Sequence, residues 1–166
     1  MNVKTHLAGI AAQNDLTAES LQFPDCELDP ESIKVIMISE VPPKNPEDGF
    51  YSKASEPDYM KSTLGLFNAA DVQVNNMQDI LSMGIYITTA VKSPKTEYTV
   101  DPGVIKAHLP ILKAELSLFP NLRVIMLMGD VAKKAFNMIA KTGTKRNVIP
   151  SDATCIVRFN GTLFSR

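Results

Sequence analysis

The chain has 166 residues, the size of one domain with a single core, and its 45% hydrophobic and 21% charged residues are the balance of an ordinary globular protein. A net charge of −1 excludes the broad basic excess of a strong nucleic-acid binder, though not a local patch such as Lys133, Lys134, Lys141, Lys145 and Arg146. No apolar run approaches the roughly 18 residues of a membrane span, and no signal peptide opens the chain, so a cytoplasmic protein with no membrane partner is expected. Two cysteines (Cys26, Cys155) and two histidines (His6, His108), without ligand spacing, make a metal site unexpected.

The chain begins with a predicted helix, because Val3, Leu7 and Ile10 recur at helical spacing. A loop with Pro24 and Pro30 follows, and then Lys34–Ile38, a continuous branched run suited to a strand buried on both faces. After a Pro/Asp/Gly loop, Pro57 marks a helix start, with Met60, Leu64 and Phe67 as its apolar face. Met77, Ile80 and Leu81 predict a short helix ended by Gly84. "IYITTAV", Ile85–Val91, is the second strand, broken by Lys92-Ser93-Pro94-Lys95. Asp101 before Pro102 is an N-cap with proline at the first helical position, and Ile105, Leu109, Leu112 and Leu116 share the face behind it. Pro120 stops that helix. "RVIMLM", Arg123–Met128, is the third strand, and Gly129-Asp130 is its exit into a helix carrying Val131, Ala135 and Met138 and ending at Gly143. "TCIVRF", Thr154–Phe159, is a fourth strand.

Strands alternating with helices imply an α/β domain over 1–166, with a parallel sheet covered by helices on both faces. In such sheets ligands bind beyond the carboxyl ends of the strands. Three segments meet that edge: Ser39–Pro43, Thr88–Pro94 and Gly129–Val131. Glu40 precedes Val41-Pro42-Pro43, whose prolines hold the backbone extended, so its carboxylate is pre-positioned as a base or a hydrogen-bond acceptor. Thr88 and Thr89 offer hydroxyls, and Lys92 could meet phosphate or simply be exposed. Gly129 opens a helix whose N-terminus suits an anion, with Asp130 as the alternative cap. Phe50 and Tyr51 could stack on a planar base or cover the core. No G-x-S-x-G elbow, G-x-G-x-x-G loop or phosphate loop is present, and neither cysteine is placed as an activated nucleophile.

Three segments together resemble the uracil-DNA glycosylase superfamily. "VIMISEVPPKNP" is similar to its first motif, which runs Gly-Glu-Ala-Pro-Gly in the iron–sulfur branch, so Glu40 and Pro42 match and both glycines are replaced. "IYITTAVKSPK" resembles the second core strand, Tyr-Ile-Thr-Asn followed by two apolar residues and Lys-Cys. "VIMLMGDVAKKAF" resembles the Leu-Gly turn and its Ala-rich helix. The likeness runs from about Lys34 to Phe136.

The resemblance implies a three-layer α/β/α sandwich around a short, mainly parallel four-stranded sheet. It also implies base excision in DNA repair: hydrolysis of the N-glycosidic bond of uracil, or of another damaged base, flipped into the edge pocket. On this reading Glu40 is the catalytic candidate; Ser39, Val41, Pro42, Phe50, Tyr51 and Thr89 surround the base, and Gly129 and Lys92 face backbone or phosphate. Val41 stands where the best-known branch has its water-activating Asp, and Thr89 where an Asn reads the uracil edge. Ser93 replaces a cluster cysteine and no N-terminal pair exists, so no cofactor is expected. Phe164-Ser165 lies near the place of a final His-Pro-Ser motif, which implies a shortened C-terminus or a lost DNA-gripping loop. The partner implied is DNA carrying uracil or a damaged base, with activity weak or lost. A non-catalytic module for a free nucleobase or nucleotide is the alternative, and an interaction protein without a small-molecule site is a third.

Overall fold

A run of β-branched and long apolar side chains with no turn residue inside it builds the central strand, β1 (Val35–Ser39). The computed structural model describes residues 1–17, 20–141 and 147–150. Within them β1 pairs in parallel with β2 (Ile85–Thr89) on one side and β3 (Val124–Leu127) on the other. Val35 lies opposite both Ile85 and Val124, and Ser39 opposite Thr89, so the carboxyl ends of β1 and β2 are level.

The period of two along each strand divides the core. Ile36, Ile38 and Tyr86 join one cluster with α1 (Val3–Gln13), α4 (Pro102–Leu116) and α5 (Asp130–Ala140). Met37, Ile85 and Ile87 join the other with α2 (Asp58–Ala69) and α3 (Met77–Ser82). A parallel sheet flanked by helices is therefore the architecture. The second cluster is the thinner: α2 contributes Met60, Leu64 and Phe67 only partly buried, and Leu66 is 72% exposed.

Local chemistry sets the helix ends. The Asn2 side chain accepts from Thr5 N–H at 2.8 Å, Asp101 from Gly103 N–H at 2.7 Å and Asn76 from Asp79 N–H at 3.0 Å. Gly84, at φ +77°, turns α3 into β2, and a Cβ there would lie 2.7 Å from the Ser32 carbonyl oxygen.

The described residues hold three strands; the expected fourth, Thr154–Phe159, lies outside them, as do Gly143, Cys155 and Phe164-Ser165. One expectation is corrected. The second strand ends at Thr89 rather than Val91, because the backbone turns and Lys92 goes inward. Ala90 and Val91 still donate to the carbonyls of Ser39 (2.8 Å) and Glu40 (3.1 Å), which ties the two strand exits together. Among the described residues no helix is long and apolar enough to cross a membrane.

Candidate functional site

The carboxyl edge carries two separate side-chain assemblies. The first surrounds Glu40. Its Oε1 accepts from the Val131 N–H at 3.1 Å, in the first turn of α5. The N-cap of that helix is Gly129, which has no side chain to offer, so Glu40 supplies the cap from 91 residues away. A carboxylate there also meets the positive end of the helix dipole. The fit is close: Gly129 has φ +102°, and a Cβ on it would lie 2.5 Å from Glu40 Oε1. Glu40 Oε2 makes no hydrogen bond to the described residues. Tyr59 lies near enough for burial, and then the Glu40 charge, to raise its phenol above the ordinary value. Asp130, the alternative cap, is instead tied to Lys133 at 2.9 Å.

The second assembly is the interior of the β2 exit. Lys92 is fully buried, and its three ammonium hydrogens are all used: Thr88 Oγ1 at 2.7 Å, Thr89 O at 2.7 Å and Glu115 Oε2 at 2.6 Å. Glu115, equally buried in α4, accepts at Oε1 from Tyr86 OH (2.6 Å) and Thr88 OH (2.8 Å). Burial pulls Lys92 below its ordinary value while the Glu115 carboxylate opposes the shift; burial, and then Glu115, push Tyr86 well up. With no hydrogen left to donate, Lys92 holds the strand end together and does not reach toward a phosphate.

Between the β2 exit and the proline loop lies a cleft of about 620 Å³. It brings together four of the residues expected around a base: Pro42, Phe50, Tyr51 and Thr89. Gln22, Phe23 and Pro94 close it, and Lys4, Lys44 and Lys53 are its cationic members. Gln22 belongs to the wall because its N–H donates to Lys92 O at 2.7 Å and its side chain to Pro43 O at 2.8 Å. Phe50 packs edge-on against Tyr59, with ring centres 5.2 Å apart. Tyr51 is more constrained. Its hydroxyl donates to Ile87 O at 2.9 Å and accepts from Ile87 N–H at 3.1 Å, which satisfies the open edge of β2, and its ring stacks on Tyr86 at 6.1 Å. Phe50 is therefore the ring better placed to meet a ligand. The Thr89 carbonyl is engaged by Lys92, while its hydroxyl has no partner among the described residues; the residue itself, 6% exposed, forms part of the cleft wall.

The remaining expected residues do not line the cleft. Ser39 donates its hydroxyl to Thr88 O at 3.2 Å, Val41 packs into the first core cluster, and Glu40 and Gly129 are engaged with each other. Of the C-terminal basic cluster, Lys145 and Arg146 lie outside the described residues. Burial, and then nearby Glu115, push the Cys26 thiol up to about 12, so it is inert as a nucleophile. Among the described residues no three His, Cys, Asp or Glu side chains are grouped to hold a metal ion. Sequence reasoning did not pick out Glu115, although a charge inside the stripe of Ile111, Leu112 and Leu116 was a visible signal of a buried partner. The wall residues Gln22 and Phe23 carried no such signal. An α/β chain with a cleft at the carboxyl edge of its sheet is what fold and geometry define; no family model, curated protein or solved structure matches the sequence.

Proposed function

We propose that the protein recognises a nucleobase in the carboxyl-edge cleft, as a uracil-DNA glycosylase-like protein in which binding outlasts efficient hydrolysis. The observation that carries this reading is the convergence of Pro42, Phe50, Tyr51 and Thr89, whose hydroxyl has no partner among the described residues, on one cleft. Phe50 stacks on the base, the Thr89 hydroxyl makes one hydrogen bond to its edge, and the prolines bound its plane. A single hydroxyl reads a base edge less completely than an amide, which would pair a donor with an acceptor, so uracil is held with modest discrimination. The completed sandwich, with a fourth strand from Thr154–Phe159, belongs to the same proposal.

A second reading keeps the hydrolysis of the N-glycosidic bond. It rests on Glu40, which stands two residues before the lining residue Pro42 without lining the cleft itself: Oε1 stays on the helix, and Oε2, with no hydrogen-bond partner among the described residues, could hold a water. Both readings meet one experiment. A fluorescent single-stranded oligonucleotide with one uracil is titrated, and Phe50→Ala is expected to weaken binding about 5- to 150-fold, the usual worth of one stacked base. The same oligonucleotide is incubated with excess protein and treated with alkali. Absence of cleavage removes the hydrolase reading; absence of binding removes the base-recognition reading.

A further inference from the structure

Tyr98 is the most exposed large apolar side chain among the described residues, at 94%. It stands on the connection from β2 to α4, and that loop is anchored at both ends. At the start Lys92 is buried and tied to Glu115; at the end Asp101 caps α4 and Val100 packs on the core. Between them Lys95 through Thr99 are all exposed. The Lys95 ammonium lies over the Tyr98 ring, 6.0 Å from its centre. The cleft begins four residues before the ring, at Pro94, so Tyr98 stands within about 14 Å of the cleft wall even if the chain between them is fully extended.

Two properties of the cleft bear on what reaches that ring. Its volume of about 620 Å³ is several times what a pyrimidine fills. Its lining is also cationic. Asp25, the one acidic lining residue, is paired with Lys4 at 3.3 Å, and Lys44 and Lys53 have no carboxylate within ion-pair distance among the described residues. A free neutral base satisfies neither property, whereas a strand satisfies both: its phosphates meet the lysines and its following bases reach beyond the cleft.

We infer that the Lys95–Tyr98 loop is a second stacking site, which takes a base one or two nucleotides along the strand from the one held in the cleft and sets a phosphate near Lys95. The inference rests on the base-recognition reading above. An aromatic ring with a neighbouring cation is a sequence-tolerant platform, so it adds affinity for a strand without adding base specificity.

The test compares two probes: a six-nucleotide deoxyoligonucleotide with one central uracil, and uridine monophosphate. Tyr98→Ala is expected to weaken the oligonucleotide about 5- to 150-fold and to leave the mononucleotide unchanged, while Tyr98→Trp retains oligonucleotide affinity. Lys95→Ala is expected to lower the slope of log affinity against log salt by about 0.7 on the single strand. Phe50→Ala should weaken both probes. If the mononucleotide binds but Tyr98→Ala leaves the oligonucleotide unaffected, the second site is overturned and the cleft reading stands. If neither probe binds, both fall. Because the ring is exposed, its removal leaves the core intact, and an unchanged urea midpoint confirms that the variant is folded.

Discussion

Glu40 shows how a residue singled out by its position acquires a different occupation in three dimensions. Its place after β1 was legible in the sequence, and so was the Gly129 turn. Their meeting was not, because it depends on β1 and β3 lying side by side, a relation between segments 91 residues apart. The pair is testable as a pair. Gly129→Ala combines a backbone conformation reserved for glycine with a Cβ pressed on the carboxylate, and should cost about 1–3 kcal/mol in urea unfolding. In a Glu40→Ala background the steric part disappears, so the same substitution should cost less there. Equal costs in the two backgrounds would mean that Glu40 does not press on Gly129.

At the level of elements, strand and helix assignments followed from periodicity and caps, and α4 (Pro102–Leu116) matches the expected span because Asp101-Pro102 fixes its start. The β2 exit was harder to read. A lysine followed by Ser-Pro has the local signature of an exposed break, and nothing local says that its side chain turns inward to Glu115. That burial makes a sharp energetic prediction. Lys92→Met alone leaves the Glu115 carboxylate buried without its cation and should cost about 3–5 kcal/mol. Lys92→Met with Glu115→Leu removes both charges but leaves the buried Tyr86 and Thr88 hydroxyls without their acceptor, so it should recover only part of that loss. A double variant no more stable than Lys92→Met would show that the pair stabilises the fold by more than its mutual compensation. The double variant also releases the Thr89 carbonyl at the cleft wall, so recovered stability with weakened ligand binding would separate architecture from recognition.

For the molecule as a whole, the α/β class and the helices on both faces were legible, because alternating element types leave few ways to bury two apolar faces. The inner wall of the cleft was not, because Gln22 and Phe23 come from an irregular segment held by backbone contacts no pattern announces. Global stability should carry one pH signature of the buried interior. His108 is 5% exposed in α4, with Nδ1 on Val104 O at 2.8 Å and Nε2 buried without a partner among the described residues. Burial lowers its pKa from the ordinary 6.5, so the folded state holds the neutral ring. Above about pH 6.5 folded and unfolded chains bind the same number of protons here; below it the unfolded chain binds more, and stability falls until pH passes the folded-state value. The urea midpoint should therefore drop between pH 7.5 and pH 5.5, and His108→Leu should flatten most of the drop. A wild-type midpoint equal at both pH values would count against a buried neutral ring.

The hydrogen bond from Tyr86 to Glu115 has an optical consequence. The chain has no tryptophan and four tyrosines, so its near-ultraviolet emission is tyrosine emission alone. A phenol bonded to a carboxylate is quenched, because the excited ring passes its proton across, and Tyr86 holds such a bond at 2.6 Å with Tyr51 stacked on its ring. Tyr86 is therefore expected to add little to that emission. Tyr98, which stands in water on the loop that follows the cleft wall, is expected to carry a larger share, so the protein has its own optical reporter beside the cleft.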